Sequence, residues 1–114
     1  MILAAFLSLL TVSPEQNGIC AAYRAGAREL AIGKRPFVNR DYAAAYRQYS
    51  HALKLIDRAY GKSFDAQVFD DTSLQLSVAD GEVQKRNFKA AANLEREVLS
   101  RRLGTIDKYA RCSR

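Results

Sequence analysis

An all-α fold is what this sequence predicts, and three observations predict it. Apolar residues recur at helical spacing: in DYAAAYRQYSHAL, residues 41–53, Tyr42, Ala45, Tyr49, Ala52 and Leu53 fall on one stripe. Prolines and glycines are few, two and six in 114 residues, so long segments run without a breaker. The stripe is then written twice, because Tyr42, Ala45, Ala52 and Leu53 fall on Phe88, Ala91, Val98 and Leu99 at a constant shift of 46 residues. The expected architecture is antiparallel helix pairs stacked as two repeats plus a short terminal helix, in one domain spanning residues 14–114.

The elements follow in order. MILAAFLSLLTVS, residues 1–13, is apolar from Ile2 to Val12 and uncharged, a length that suits a signal-peptide core and is too short to span a bilayer as a helix. Ser13-Pro14-Glu15-Gln16 reads as a capping box with proline at the first helical position. The first helix should run to about Ile32 with Ile19, Tyr23, Ala27, Leu30 and Ala31 on one face, and Gly33 should end it. Arg35-Pro36 should then keep the chain extended. The second helix opens near Asn39 or Asp41, carries Tyr46 and Ile56 on its stripe, and closes at Gly61.

The second pair is less regular. KSFDAQVFDD, residues 62–71, lacks helical periodicity, so the third helix should start at a cap on Asp71 or Thr72, with Leu74, Val78 and Ala79 inward and Gly81 in close contact with a neighbour. The fourth should start near Asn87, bury Phe88, Ala91, Leu94, Val98 and Leu99, and stop at Gly104. TIDKYARCSR supplies the short terminal helix, with Ile106 and Tyr109 inward.

Charge is a modest guide to partners. The net charge of +6 is split: residues 1–61 hold eight Lys/Arg against four Asp/Glu, residues 62–81 one against four, and residues 82–114 nine against four. An acidic connector therefore separates two basic halves. Nucleic-acid binding would want a basic stripe interleaved with aromatics or a recognisable module, and neither is present, so no nucleic-acid partner is expected.

Tyr42-x2-Ala45-x3-Tyr49-x2-Ala52-Leu53, followed by Gly61, resembles the second helix of a tetratricopeptide repeat (TPR), in the longer spacing of kinesin-light-chain-like proteins. Thr72 to Gly104 is similar, with Val78-Ala79, Phe88, Ala91, Val98 and Leu99 at matching places, and Tyr23-x2-Gly26-Ala27-x2-Leu30 resembles a first-helix signature. The departures are Glu82 and Glu95 at places where aromatics are common, and a first turn about six residues longer than the family prefers. A helical bundle of unrelated descent is the alternative. The resemblance implies a protein-binding module whose first helices line the partner-binding face. Carried over, that face comprises Arg24 and Arg28, then Ser73, Leu76, Asp80, Val83 and Gln84. Arg24 and Arg28, one turn apart, suit a carboxylate or an acidic segment.

Cys20 and Cys112 are the two cysteines, and two readings stand. A bridge would enclose nearly the whole domain and require the array to close on itself, since an open solenoid would hold the two beyond bridging distance. Otherwise Cys20 is a buried thiol and Cys112 a free or intermolecular one. His51 is the single histidine; Ser50 adjoins it, but consecutive helix residues do not face each other, so no relay is indicated. No metal-ligand spacing and no phosphate loop occurs, so neither an enzyme nor a cofactor is expected. The function so read is that of a small adaptor for a protein or peptide partner, in the periplasm or secreted, with homo-oligomers as an option. The alternatives are an inhibitor or immunity-type protein on a helical scaffold, and a cytoplasmic location.

Overall fold

The computed structural model describes the backbone of residues 14–60 and 67–113, and the leader of residues 1–13 and the stop at Gly61 lie outside them. Among the described residues four helices form: α1 (Pro14–Val38), α2 (Tyr42–Tyr60), α3 (Gln67–Gln84) and α4 (Phe88–Ala110). The described residues contain no strand, and the helix pairs pack against each other as the sequence predicts. Among the described residues helix α4 is the hub, in contact with α1, α2 and α3, while α1 also packs on α2 and α3 packs on α4 alone.

The 46-residue repeat is structural. Asn39 N donates to Arg35 O, Arg40 N to Phe37 O and Asp41 N to Pro36 O, and the same three bonds recur as Lys85 N to Gly81 O, Arg86 N to Val83 O and Asn87 N to Glu82 O. Arg40 and Arg86 are left-handed in the two turns, with φ of 65° and 60°. Each turn closes the preceding helix with a bond five residues back and one three residues back, so the last carbonyls are satisfied. The next residue at once caps the following helix: Asp41 Oδ1 accepts from Ala44 N at 3.3 Å and Asn87 Oδ1 from Ala90 N at 3.4 Å.

The buried stripes repeat as well. Each residue of α2 described as buried, namely Ala45, Tyr49, Ala52, Leu53 and Ile56, has a buried counterpart 46 residues on: Ala91, Glu95, Val98, Leu99 and Arg102. Alanines bring backbones together while larger side chains fill the space at adjacent turns, which is why the stripe alternates them. Tyr42 and Phe88 sit half-buried at the start of each stripe; Tyr42 meets Phe37 edge-on at 5.4 Å, and Phe88 lies 6.1 Å from Tyr46.

Several expectations are corrected. The first helix passes through Gly33 and Pro36 to Val38, so the long first turn is mostly helix; the carbonyl that Pro36 leaves without a donor belongs to Ile32, on the exposed side of α1. Gly33 does not take a left-handed conformation but makes room for the Tyr49 ring, which the sequence alone does not reveal. Helix α3 begins at Gln67 rather than at a cap on Asp71 or Thr72, and Thr72 lies buried within it. Leu74 and Val78 point outward, and a Cβ at Gly81 would meet nothing within 4 Å. Finally, Gly104 does not stop α4, which continues to Ala110; Ile106 is buried as expected, and Tyr109 is exposed.

The ends of the domain are joined covalently. Cys20 of α1 and Cys112, just beyond α4, form a disulfide with Cα atoms 5.0 Å apart. Packing of α1 on α4 brings the two together, so the closed arrangement required by a bridge is the one adopted. The C-terminal turn presents Cys112 in position: left-handed Arg111 donates its N–H to Asp107 O, and Asp107 accepts from both Ser113 N and Ser113 Oγ at 2.7 Å.

Candidate interaction surfaces

Helix α1 buries Gly26 and Gly33 and turns Arg24, Arg28, Ile32 and Arg35 to solvent. Steps of four, four and three place these four residues along one face, basic and partly apolar. Its sequence holds Arg24, Arg28, Lys34 and Arg35 against Glu15 and Glu29.

Helix α3 is opposite in character. It carries Asp70, Asp71, Asp80 and Glu82 and no Lys or Arg. Ala79 and Thr72 are buried against α4, and Leu76 and Val83 are half-buried. Away from them, Leu74, Val78 and Gly81 follow at steps of four and three, with Leu74 74% and Val78 50% exposed. Ser73, Asp80 and Gln84 border this strip and are exposed.

The sequence-predicted partner-binding residues are thus divided. Arg24 and Arg28 lie on α1, while Ser73, Asp80 and Gln84 edge the outer face of α3, and Leu76 and Val83 turn toward α4. Helices α1 and α3 do not touch among the described residues, so the two sets form two surfaces of one molecule instead of a continuous face.

Two buried polar residues were missed by sequence reasoning as a site, although Glu95 had stood out as a departure from the family pattern. On the α4 stripe, Glu95 and Arg102 occupy the places that Tyr49 and Ile56 hold on α2. Arg102 Nη1 reaches Asp57 Oδ1 of α2 at 2.8 Å and Arg102 Nε reaches Thr72 Oγ1 of α3 at 2.9 Å, so one side chain ties three helices. Asp57 is half exposed and water weakens the pair, yet the buried guanidinium needs these partners. Burial lowers the affinity of Arg102 for its proton, against the pull of Asp57 and Glu95.

Glu95 is 4% exposed and its Oε1 has no hydrogen-bond partner. Burial pushes its carboxyl up to about 7; Asp80 adds to the rise, and a Ser50 hydrogen bond, Lys54 and Arg102 oppose it. Ser50 is therefore turned to Glu95, and His51 is exposed. The same pocket raises the Tyr46 phenol, chiefly by burial.

A groove of about 500 Å³ runs between α1 and α4, lined in part by Leu30, Lys34, Tyr49 and Arg96. Arg96 is held over the Phe37 ring at 4.5 Å and bonds Asn93 Oδ1 at 3.1 Å. The Tyr49 hydroxyl beneath has no partner and no solvent access, so a ligand in the groove would not reach it. Among the described residues, no three His, Cys, Asp or Glu side chains gather where they would ligate a metal, and no helix is long and apolar enough to cross a membrane. No protein-family model matches this chain, and neither curated proteins nor solved structures give a match.

Proposed function

We propose that this chain is a small tetratricopeptide-like protein–protein interaction module, an adaptor that works by binding rather than by catalysis and is exported to the cell envelope. The observation that carries the reading is the outer face of α3. Leu74 and Val78 stand one turn apart, 74% and 50% exposed, on a helix that among the described residues packs only on α4. A single exposed apolar side chain needs no explanation, but an apolar strip bordered by polar residues marks a contact surface. The basic face of α1 is the second surface, where Arg24 and Arg28 suit an acidic segment of a protein or peptide.

The compartment rests on the disulfide between Cys20 and Cys112, a bond that persists in oxidising surroundings, and on the apolar character of residues 2–12.

Capture from an envelope extract on the immobilised, oxidised chain tests the proposal, with the double variant Arg24→Glu/Arg28→Glu beside it. A specific protein retained by the native chain and weakened at least tenfold by the variant is the expected result. Equal retention on both removes the arginine pair from the surface, and the absence of any specific protein removes the adaptor role.

A further inference from the structure

We propose that α3 is a lid that pH opens: ionisation of the Glu95 carboxyl undocks α3 from α4, while α1, α2 and α4 stay packed. This goes beyond the interaction-module reading and stands without it. Three observations lead to it.

First, the helices divide unequally. Helices α1, α2 and α4 all touch one another, and the Cys20–Cys112 disulfide joins the first of them to the residues just beyond the last. Among the described residues α3 touches α4 alone, so it can leave without parting any other pair. The residues of α3 described as buried are Thr72 and Ala79, both small, with Leu76 and Val83 half-buried beside them. A helix attached by one face, with no large side chain fully buried, is the kind of element that opens locally ahead of global unfolding.

Second, the carboxyl lies where α3 covers α4. Glu95 holds on α4 the place that Tyr49 holds on α2, and Tyr49 packs against Gly33 of α1. The residue 46 positions beyond Gly33 is Ala79 of α3, which is fully buried. Glu95 is enclosed there, with Oε1 lacking a hydrogen-bond partner. It faces Tyr46, Ser50 and Lys54 of α2, Asp80 of α3 and Arg102 of its own helix. Arg102 is already engaged by Asp57 and Thr72, so an ionised Glu95 is left with an unsatisfied oxygen and a second carboxylate near by. Lifting α3 takes Asp80 away and admits water to the charge.

Third, the balance falls near neutral pH. With α3 in place, burial raises the Glu95 carboxyl from 4.5 to about 7. The docked form therefore keeps a proton that the open form has released, and rising pH favours opening. Leu74 and Val78 are on the lid, so the outer α3 face is held firmly below this transition and loosened above it.

Amide hydrogen exchange of the full oxidised chain at pH 6 and pH 8, read by mass spectrometry and corrected for intrinsic rates, decides the matter. Peptides of α3 should lose protection roughly tenfold over that interval, the factor for one carboxyl at about 7 when docked and 4.5 when open. Peptides of α1 and α2 should stay more protected than α3 at both values. Glu95→Gln, which keeps the size of the side chain but cannot ionise, should remove the loss; Glu95→Met serves in its place if circular dichroism shows the glutamine variant unfolded. Protection of α3 that matches α1 and α2, or that does not change between pH 6 and pH 8, overturns the proposal. So does a loss that persists in the folded variant.

Discussion

Arg40 and Arg86 hold the same left-handed backbone conformation, φ 65° and 60°, in two turns 46 residues apart that share the same three hydrogen bonds. Arginine is strained there because its Cβ crowds the carbonyl, and glycine is not. Arg40→Gly and Arg86→Gly should each stabilise the fold by about 0.5–1 kcal/mol, after allowance for the freedom glycine gains in the unfolded chain. Urea midpoints of the two variants check this. Gains of matching size are expected; a gain at one turn and a loss at the other would show that the two units are not equivalent.

Gly33 and Gly104 should respond oppositely to alanine. A Cβ at Gly33 would stand 2.9 Å from Cζ and 3.0 Å from Cδ1 of the Tyr49 ring, which is fully buried. Overpacking of this kind costs about 1–3 kcal/mol, more than the propensity gain of about 1 kcal/mol. At Gly104 nothing lies within 4 Å and only the propensity gain remains. Thermal unfolding should thus show Gly33→Ala melting lower than the native chain and Gly104→Ala higher.

Reduction of the Cys20–Cys112 disulfide should lower stability by up to about 4–5 kcal/mol, since the bond closes a loop with a sequence separation of 92 residues and restricts the unfolded chain accordingly. Denaturant curves with and without reductant measure it, and Cys20→Ser/Cys112→Ser should reproduce the reduced curve. A difference under about 1 kcal/mol would mean that the closed arrangement of α1 on α4 owes little to the bond.

Glu95 should make the fold sensitive to pH. Its carboxyl is raised from 4.5 to about 7 in the folded chain, first by burial. Between those values the folded chain keeps a proton that the unfolded chain has released, so this residue's contribution is full below about pH 4.5, falls as pH rises and levels off above about 7. Groups facing it are Ser50 and Lys54 from α2, Asp80 from α3 and Arg102 on its own helix. Glu95→Gln should remove that slope and stabilise the protein at pH 8 by an amount on the order of 2 kcal/mol. Unfolding curves at pH 5 and pH 8 test it: a native difference that survives in the variant places the titrating group elsewhere.

Most of the architecture was legible because a helix's buried stripe is periodic in sequence. Tyr42 through Ile56 and Phe88 through Leu99 were readable for that reason, and Asp41 and Asn87 because a cap needs a short side-chain acceptor. The helix ends were misread at Gly33 and Gly104. Glycine serves a left-handed terminus and a close crossing equally well, and only the position of Tyr49 distinguishes them at Gly33. Leu74 and Val78 were placed inward because hydropathy marks a side chain as apolar without saying which neighbour covers it.

By itself the sequence determined that the chain is helical, that its units repeat at 46 residues, and which stripe of α2 and α4 is buried, because these follow from local spacing. Tertiary structure alone decided that Cys20 meets Cys112, that Arg102 ties α2 and α3 to α4, that Glu95 is enclosed, and that the outer faces of α1 and α3 stay apart. Those relations join residues distant along the chain, and their distances are set by how whole helices cross, which no local pattern encodes.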